Sequence, residues 1–165
     1  MMKTNLLCIL GLSWLLIGCD REQMPDPAIT FSGSTGCKDY LLKGGNDRSR
    51  DQDCISYSWV SGDTLKITHV NAGFNCCPEG FRTELKVVGD TLVIFENENS
   101  NMCDCNCLFD LKYYLTGISR DTWWIRVVEP YASRAEDKPI VFKAELRKED
   151  AGEFCVTRTG YPWRI

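Results

Sequence analysis

Two motifs concentrate the reactive side chains of this sequence: the adjacent pair Cys76-Cys77 and the alternating Cys103-x-Cys105-x-Cys107. Thiols so clustered support three chemistries. They close disulfides, they hold a soft metal as thiolates, or they cycle as a redox couple. His69, the sole histidine, lies shortly before the double cysteine. Thiolate and imidazole together suit zinc or Cu(I), so Cys76, Cys77, Cys103, Cys105, Cys107 and His69 form one candidate metal site. Against it, the spacing lacks the paired Cys-x2-Cys knuckles of zinc modules, and no Cys-x-x-Cys redox motif is present. His69 also reads as a hydrogen-bonded structural residue at a strand end.

The compartment decides between these chemistries, and the N-terminus supplies it. Lys3 precedes an apolar run over residues 6–17. A membrane-spanning helix needs roughly 20 residues, so this run reads as the core of a signal peptide. It closes in Leu16-Ile17-Gly18-Cys19, which resembles the bacterial lipobox. The resemblance implies cleavage after residue 18 and lipidation of Cys19, palmitate being the expected kind of acyl group. Residues 19–36, with Pro25, Pro27, Ser32, Gly33, Ser34 and Gly36, read as a polar tether. The remainder, 37–165, reads as one domain. Asp20 resembles an inner-membrane retention signal of enteric bacteria. Asp20-Arg21-Glu22 resembles the surface-export signals of Bacteroides-type lipoproteins, which favours the outer membrane.

With Cys8 removed and Cys19 lipidated, eight of the ten cysteines remain: Cys37, Cys54, Cys76, Cys77, Cys103, Cys105, Cys107 and Cys155. An even number in an exported domain reads first as disulfides. The planar trans peptide between Cys76 and Cys77 turns the two thiols apart. Their natural partners lie in the 103–107 segment, and the third thiol there would take Cys37, Cys54 or Cys155. No cofactor is then required.

The elements that must position these residues are strands. Gly62-Asp63-Thr64-Leu65 recurs as Gly89-Asp90-Thr91-Leu92, each after a strand-like run, which predicts two hairpins with tight Gly-Asp turns. Arg120-Asp121 looks like a looser third case. Leu65, Ile67 and His69 share one parity, as do Ile140, Phe142, Ala144 and Leu146. Residues 91–95 are apolar on both faces, as in a central strand. Alternation over 103–115 predicts one strand with all three thiols inward. Trp123 and Trp124 point to opposite faces, so at most one is exposed. The aromatic tail through Tyr161 and Trp163 reads as a C-terminal clasp. About eight short strands predict an all-β fold, a single antiparallel sandwich or barrel braced by disulfides.

The remaining signals exclude more than they assign. A formal charge of −4 argues against a nucleic-acid partner. Gly-x-Ser-x-Gly, His-Glu-x-x-His and phosphate-loop motifs are absent, so the reading is not an enzyme. The oxygen-rich stretches 46–53 and 97–101 read as solvated turns rather than calcium loops.

Several motifs taken together resemble a family of cysteine-rich lipoproteins of Bacteroides-type bacteria. They are His69-x-Asn71, Phe74-Asn75-Cys76-Cys77-Pro78, Cys103-x-Cys105-x-Cys107-Leu108-Phe109-Asp110-Leu111, Val128-Glu129-Pro130-Tyr131 and the tail Phe154-Cys155-Val156-x-Arg158-Thr159-Gly160-Tyr161-Pro162-Trp163. The resemblance covers most of the chain after about residue 54. It implies the lipoprotein address and carries no activity. The expectation is a membrane-anchored module that binds a protein, peptide or glycan, or serves as an envelope part. Metal binding through the cysteines is the alternative.

Overall fold

The computed structural model describes residues 25–38, 48–100, 103–132 and 138–164. The expected signal peptide over 1–18 and the lipidation site Cys19 lie outside them. Among the described residues nine strands form two sheets: β1 (Ala28–Ser34), β2 (Gln52–Trp59), β3 (Thr64–Asn75), β4 (Phe81–Val88), β5 (Thr91–Glu98), β6 (Asn106–Thr116), β7 (Thr122–Val128), β8 (Ile140–Glu145) and β9 (Ala151–Thr157). One sheet runs β1-β6-β3-β2-β9 and the other β4-β5-β7-β8. No helix occurs among the described residues, as the alternating pattern requires.

Strand parity builds the core. Leu65 and Ile67 from β3, Leu92 and Ile94 from β5, Leu111, Tyr113 and Leu115 from β6, and Ile140, Phe142 and Ala144 from β8 are buried between the sheets. Their polar neighbours face outward. Trp124 is 41% exposed while Trp123 packs on the core, as their opposite parity demands.

Four local expectations are corrected. The tether ends sooner than residue 36, because Ala28–Ser34 pairs with β6 and sends Ile29 and Phe31 to the core. Flanking Pro, Ser and Gly mask that short alternation, while an otherwise bare β6 edge favours a covering strand. Gly89 takes φ +60 in a tight β4–β5 turn, but Gly62 does not take a positive φ and the β2–β3 connection is wider. Arg120-Asp121 closes no hairpin; it lies where the chain passes from β6 to β7 in the opposite sheet. Because the chain leaves the second sheet after β5 and returns along β6, β7 runs parallel to β5, the one parallel pair among the described strands.

The fourth correction concerns the triple cysteine. Only Cys107 lies within a strand, since β6 begins at Asn106. Cys103 and Cys105 sit in the bend before it, half-buried and exposed. Asn75 imposes the bend: its amide donates to Cys103 O, while its Oδ1 accepts from the Cys103 and Cys77 amides.

The C-terminal clasp is present. Trp163 is 1% exposed and donates from Nε1 to Asn71 O at 2.8 Å. Its ring lies on Gly73, where an added Cβ would fall 2.6 Å from the indole. A larger residue at 73 would exclude the clasp. Asn71 itself bulges out of β3 with φ +65, a conformation asparagine tolerates.

Candidate functional site

The sequence-predicted cysteines all pair. Cys76–Cys105 and Cys77–Cys103 staple the β3–β4 loop to the bend before β6. Cys37–Cys107 ties the segment after β1 to β6, and Cys54–Cys155 links β2 to β9. The thiolate site expected from Cys76, Cys77, Cys103, Cys105, Cys107 and His69 is therefore not assembled. Its five sulfurs are engaged in bonds, and His69 sits among carboxylates instead.

Those carboxylates form a second constellation at the sheet interface. His69, from the middle of β3, is fully buried. Its Nε2 stands 2.6 Å from Asp53 Oδ1 on β2, and its Nδ1 stands 2.7 Å from Glu96 Oε2 on β5. Arg158, just after β9, donates from Nε to Asp53 Oδ2 at 2.6 Å and from Nη2 to Glu129 Oε2 at 2.9 Å. Its Nη1 donates to Lys138 O. Glu129, just after β7, approaches His69 Nε2 at 3.7 Å and accepts from Gly73 N. All five side chains are at most 5% exposed. Tyr113 lies beside Glu96, yet neither its hydroxyl nor Glu96 Oε1 finds a well-formed hydrogen bond among the described residues.

Burial in this cluster works against charge, and neighbouring charges answer it. Desolvation opposes the imidazolium of His69 most strongly, but Glu96, Asp53 and Glu129 together outweigh it and raise its pKa well above the ordinary value. Burial, aided by repulsion from Asp53, pushes Glu129 up to about 8 against the pull of His69 and Arg158. Burial and then Glu96 raise Tyr113 well above the ordinary tyrosine range. With His69 charged and Glu129 holding a proton, two cations face two carboxylates. The cluster is then neutral, as a buried site must nearly be.

Sequence reasoning found His69 and missed Asp53, Glu96, Glu129 and Arg158. A signal existed. Asp53 continues the inward parity of Ile55 and Tyr57, and Glu96 that of Leu92 and Ile94. Glu129 continues Ile125 and Val127, and Arg158 continues Phe154 and Val156. Each is a charge written on the apolar face of its strand. With His69 these make five such violations, three on strands and two at the residue just past a strand, and they predict one shared, mutually compensating interior.

Two cavities adjoin this end of the sandwich. One of about 130 Å³ is lined by Glu129, Arg158, Val128, Ala132, Pro139 and Ile140. The other, about 330 Å³, is lined by Asn97, Glu98, Asn99, Ser100, Pro130 and Tyr131. Glu98 is fixed there by the Tyr131 hydroxyl at 2.6 Å and by Asn75 N. Comparison with protein-family models, curated proteins and solved structures finds no match to this chain.

Proposed function

We propose that the chain is a lipid-anchored protein of the bacterial cell envelope, attached through Cys19, whose β-sandwich acts as a binding or structural module rather than an enzyme. The observation that carries this reading is the pairing of all eight cysteines after Cys19 into four disulfides. That pattern belongs to an oxidising compartment. The signal-like residues 6–17 and the lipobox agree with it. The resemblance to lipoproteins of Bacteroides-type bacteria favours the outer membrane.

The strand registers add a direction. Ala28 opens β1 opposite Thr116, so the anchored end is also the end of the 60–63 and 117–121 loops. The disulfide-stapled loops and both cavities lie at the other end. A membrane-held sandwich would thus present its most constrained loops outward. The 330 Å³ cavity offers amide side chains and an aromatic ring, groups suited to a peptide or glycan. The test is cell fractionation with acyl labelling of the full chain and its Cys19→Ala variant in a Bacteroides-type host. The full chain should label and sediment with membranes; the variant should do neither. An unlabelled, soluble full chain would remove the proposal.

A further inference from the structure

The geometry points to a zinc site inside the buried cluster, with His69 Nε2, Asp53 Oδ1 and Glu129 Oε1 as ligand atoms. These three atoms lie within 4.8 Å of one another. Nε2 is 2.6 Å from the aspartate oxygen and 3.7 Å from the glutamate oxygen. Zinc bonds to nitrogen and carboxylate oxygen run about 2.0–2.2 Å, which sets tetrahedral ligand atoms roughly 3.4 Å apart. The two spacings from Nε2 bracket that value.

The surroundings fit a metal rather than merely permitting one. Glu96 holds His69 Nδ1 at 2.7 Å and so aims Nε2 at the carboxylates. A carboxylate behind the imidazole is the usual outer partner of a metal-bound histidine. Arg158 occupies Asp53 Oδ2 and Glu129 Oε2, while Oδ1 meets His69 Nε2 and Oε1 accepts a long 3.4 Å bond from Gly73 N, each keeping a lone pair for an ion. Zinc binding would displace the imidazolium proton of His69 and the proton on Glu129, after which three carboxylates face one guanidinium. A divalent cation cancels the two surplus negative charges in this buried setting. Two further buried oxygens, Glu96 Oε1 and Tyr113 OH, border the cluster without a well-formed hydrogen bond. The 130 Å³ cavity is lined by Glu129 and Arg158, at the edge of the cluster.

One imidazole nitrogen with two carboxylate oxygens suits zinc better than a soft or an all-oxygen ion. Asp53 and His69 belong to one sheet, while Glu129 extends a strand of the other. A bound zinc therefore links the two sheets, with its fourth position left to a non-protein ligand. The inference does not depend on the membrane anchor.

The experiment uses the purified full chain, stripped with a chelator and titrated with zinc chloride. Elemental analysis and calorimetry should find one zinc per chain, and the melting temperature should rise with zinc. X-ray absorption should show a first shell of nitrogen and oxygen at about 2.0–2.2 Å. Glu129→Gln keeps the side-chain shape and removes one anionic ligand. It should stay folded by circular dichroism and bind zinc at least about tenfold more weakly. His69→Gln tests the nitrogen ligand where it folds. Absence of uptake by the folded wild-type chain, a sulfur shell, or wild-type affinity in a folded Glu129→Gln variant would each overturn the assignment.

Discussion

Arg158 shows what a single buried charge does in this protein. It pairs with both Asp53 and Glu129 and lies 5.2 Å from the Trp163 ring centre. Arg158→Met removes the cation and leaves Asp53 and Glu129 buried without their shared partner. The expected loss is about 3–5 kcal/mol in urea unfolding. Arg120→Met, which breaks the exposed pair with Asp150, should cost less than about 1 kcal/mol in the same measurement. Tyr57 gives a pH signature. Burial, then the hydrogen bond to Glu149, push its pKa up to about 12. An unfolded tyrosine ionises near pH 10. What Tyr57 contributes is complete below pH 10 and declines as pH rises toward 12, because only the unfolded chain sheds the proton early. Tyr57→Phe should flatten that part of the stability curve, read from denaturation midpoints across the window. At this scale the sequence made His69 visible because it is the sole histidine. Its partners were ordinary acids until their strand parity was weighed.

The elements obey simple alternation, and most were legible for that reason. The β4–β5 turn followed from Gly89-Asp90, and the buried face of β8 from Ile140, Phe142 and Ala144. β1 was not legible, because its alternation is short and framed by Pro and Gly. Nor was the break at Cys105, because nothing local reveals that Asn75 binds Cys103 from another strand. The disulfides rank the elements they join. Cys54–Cys155 spans 101 residues and Cys77–Cys103 spans 26. In the loop-entropy view, opening the first by paired alanine substitution costs about 4.7 kcal/mol, and opening the second roughly 3–4 kcal/mol. Thermal melts of the two double variants should follow that order. The reverse order would mean that the stapled loop supports more than its own closure.

As a whole, the molecule is two sheets held by three kinds of bond: apolar packing, four disulfides and one ionic cluster across the interface. Full oxidation is the corresponding expectation. Unfolded without reductant and alkylated, the chain after Cys19 should add no label at any of its eight cysteines, as mass spectrometry would read. Labelling of the 76–77 or 103–107 thiols would reopen a thiolate site there. The sequence by itself determined the strand class, the inward faces of strands such as β3 and β8, the clasp and the membership of the disulfide set, since these depend on residue type and on spacing along the chain. Which cysteine meets which, the parallel β5–β7 pair, and the meeting of Asp53, His69, Glu96, Glu129 and Arg158 were decided only by the tertiary structure. Those contacts join residues distant in the chain, and the stacking of one sheet on the other sets their distances.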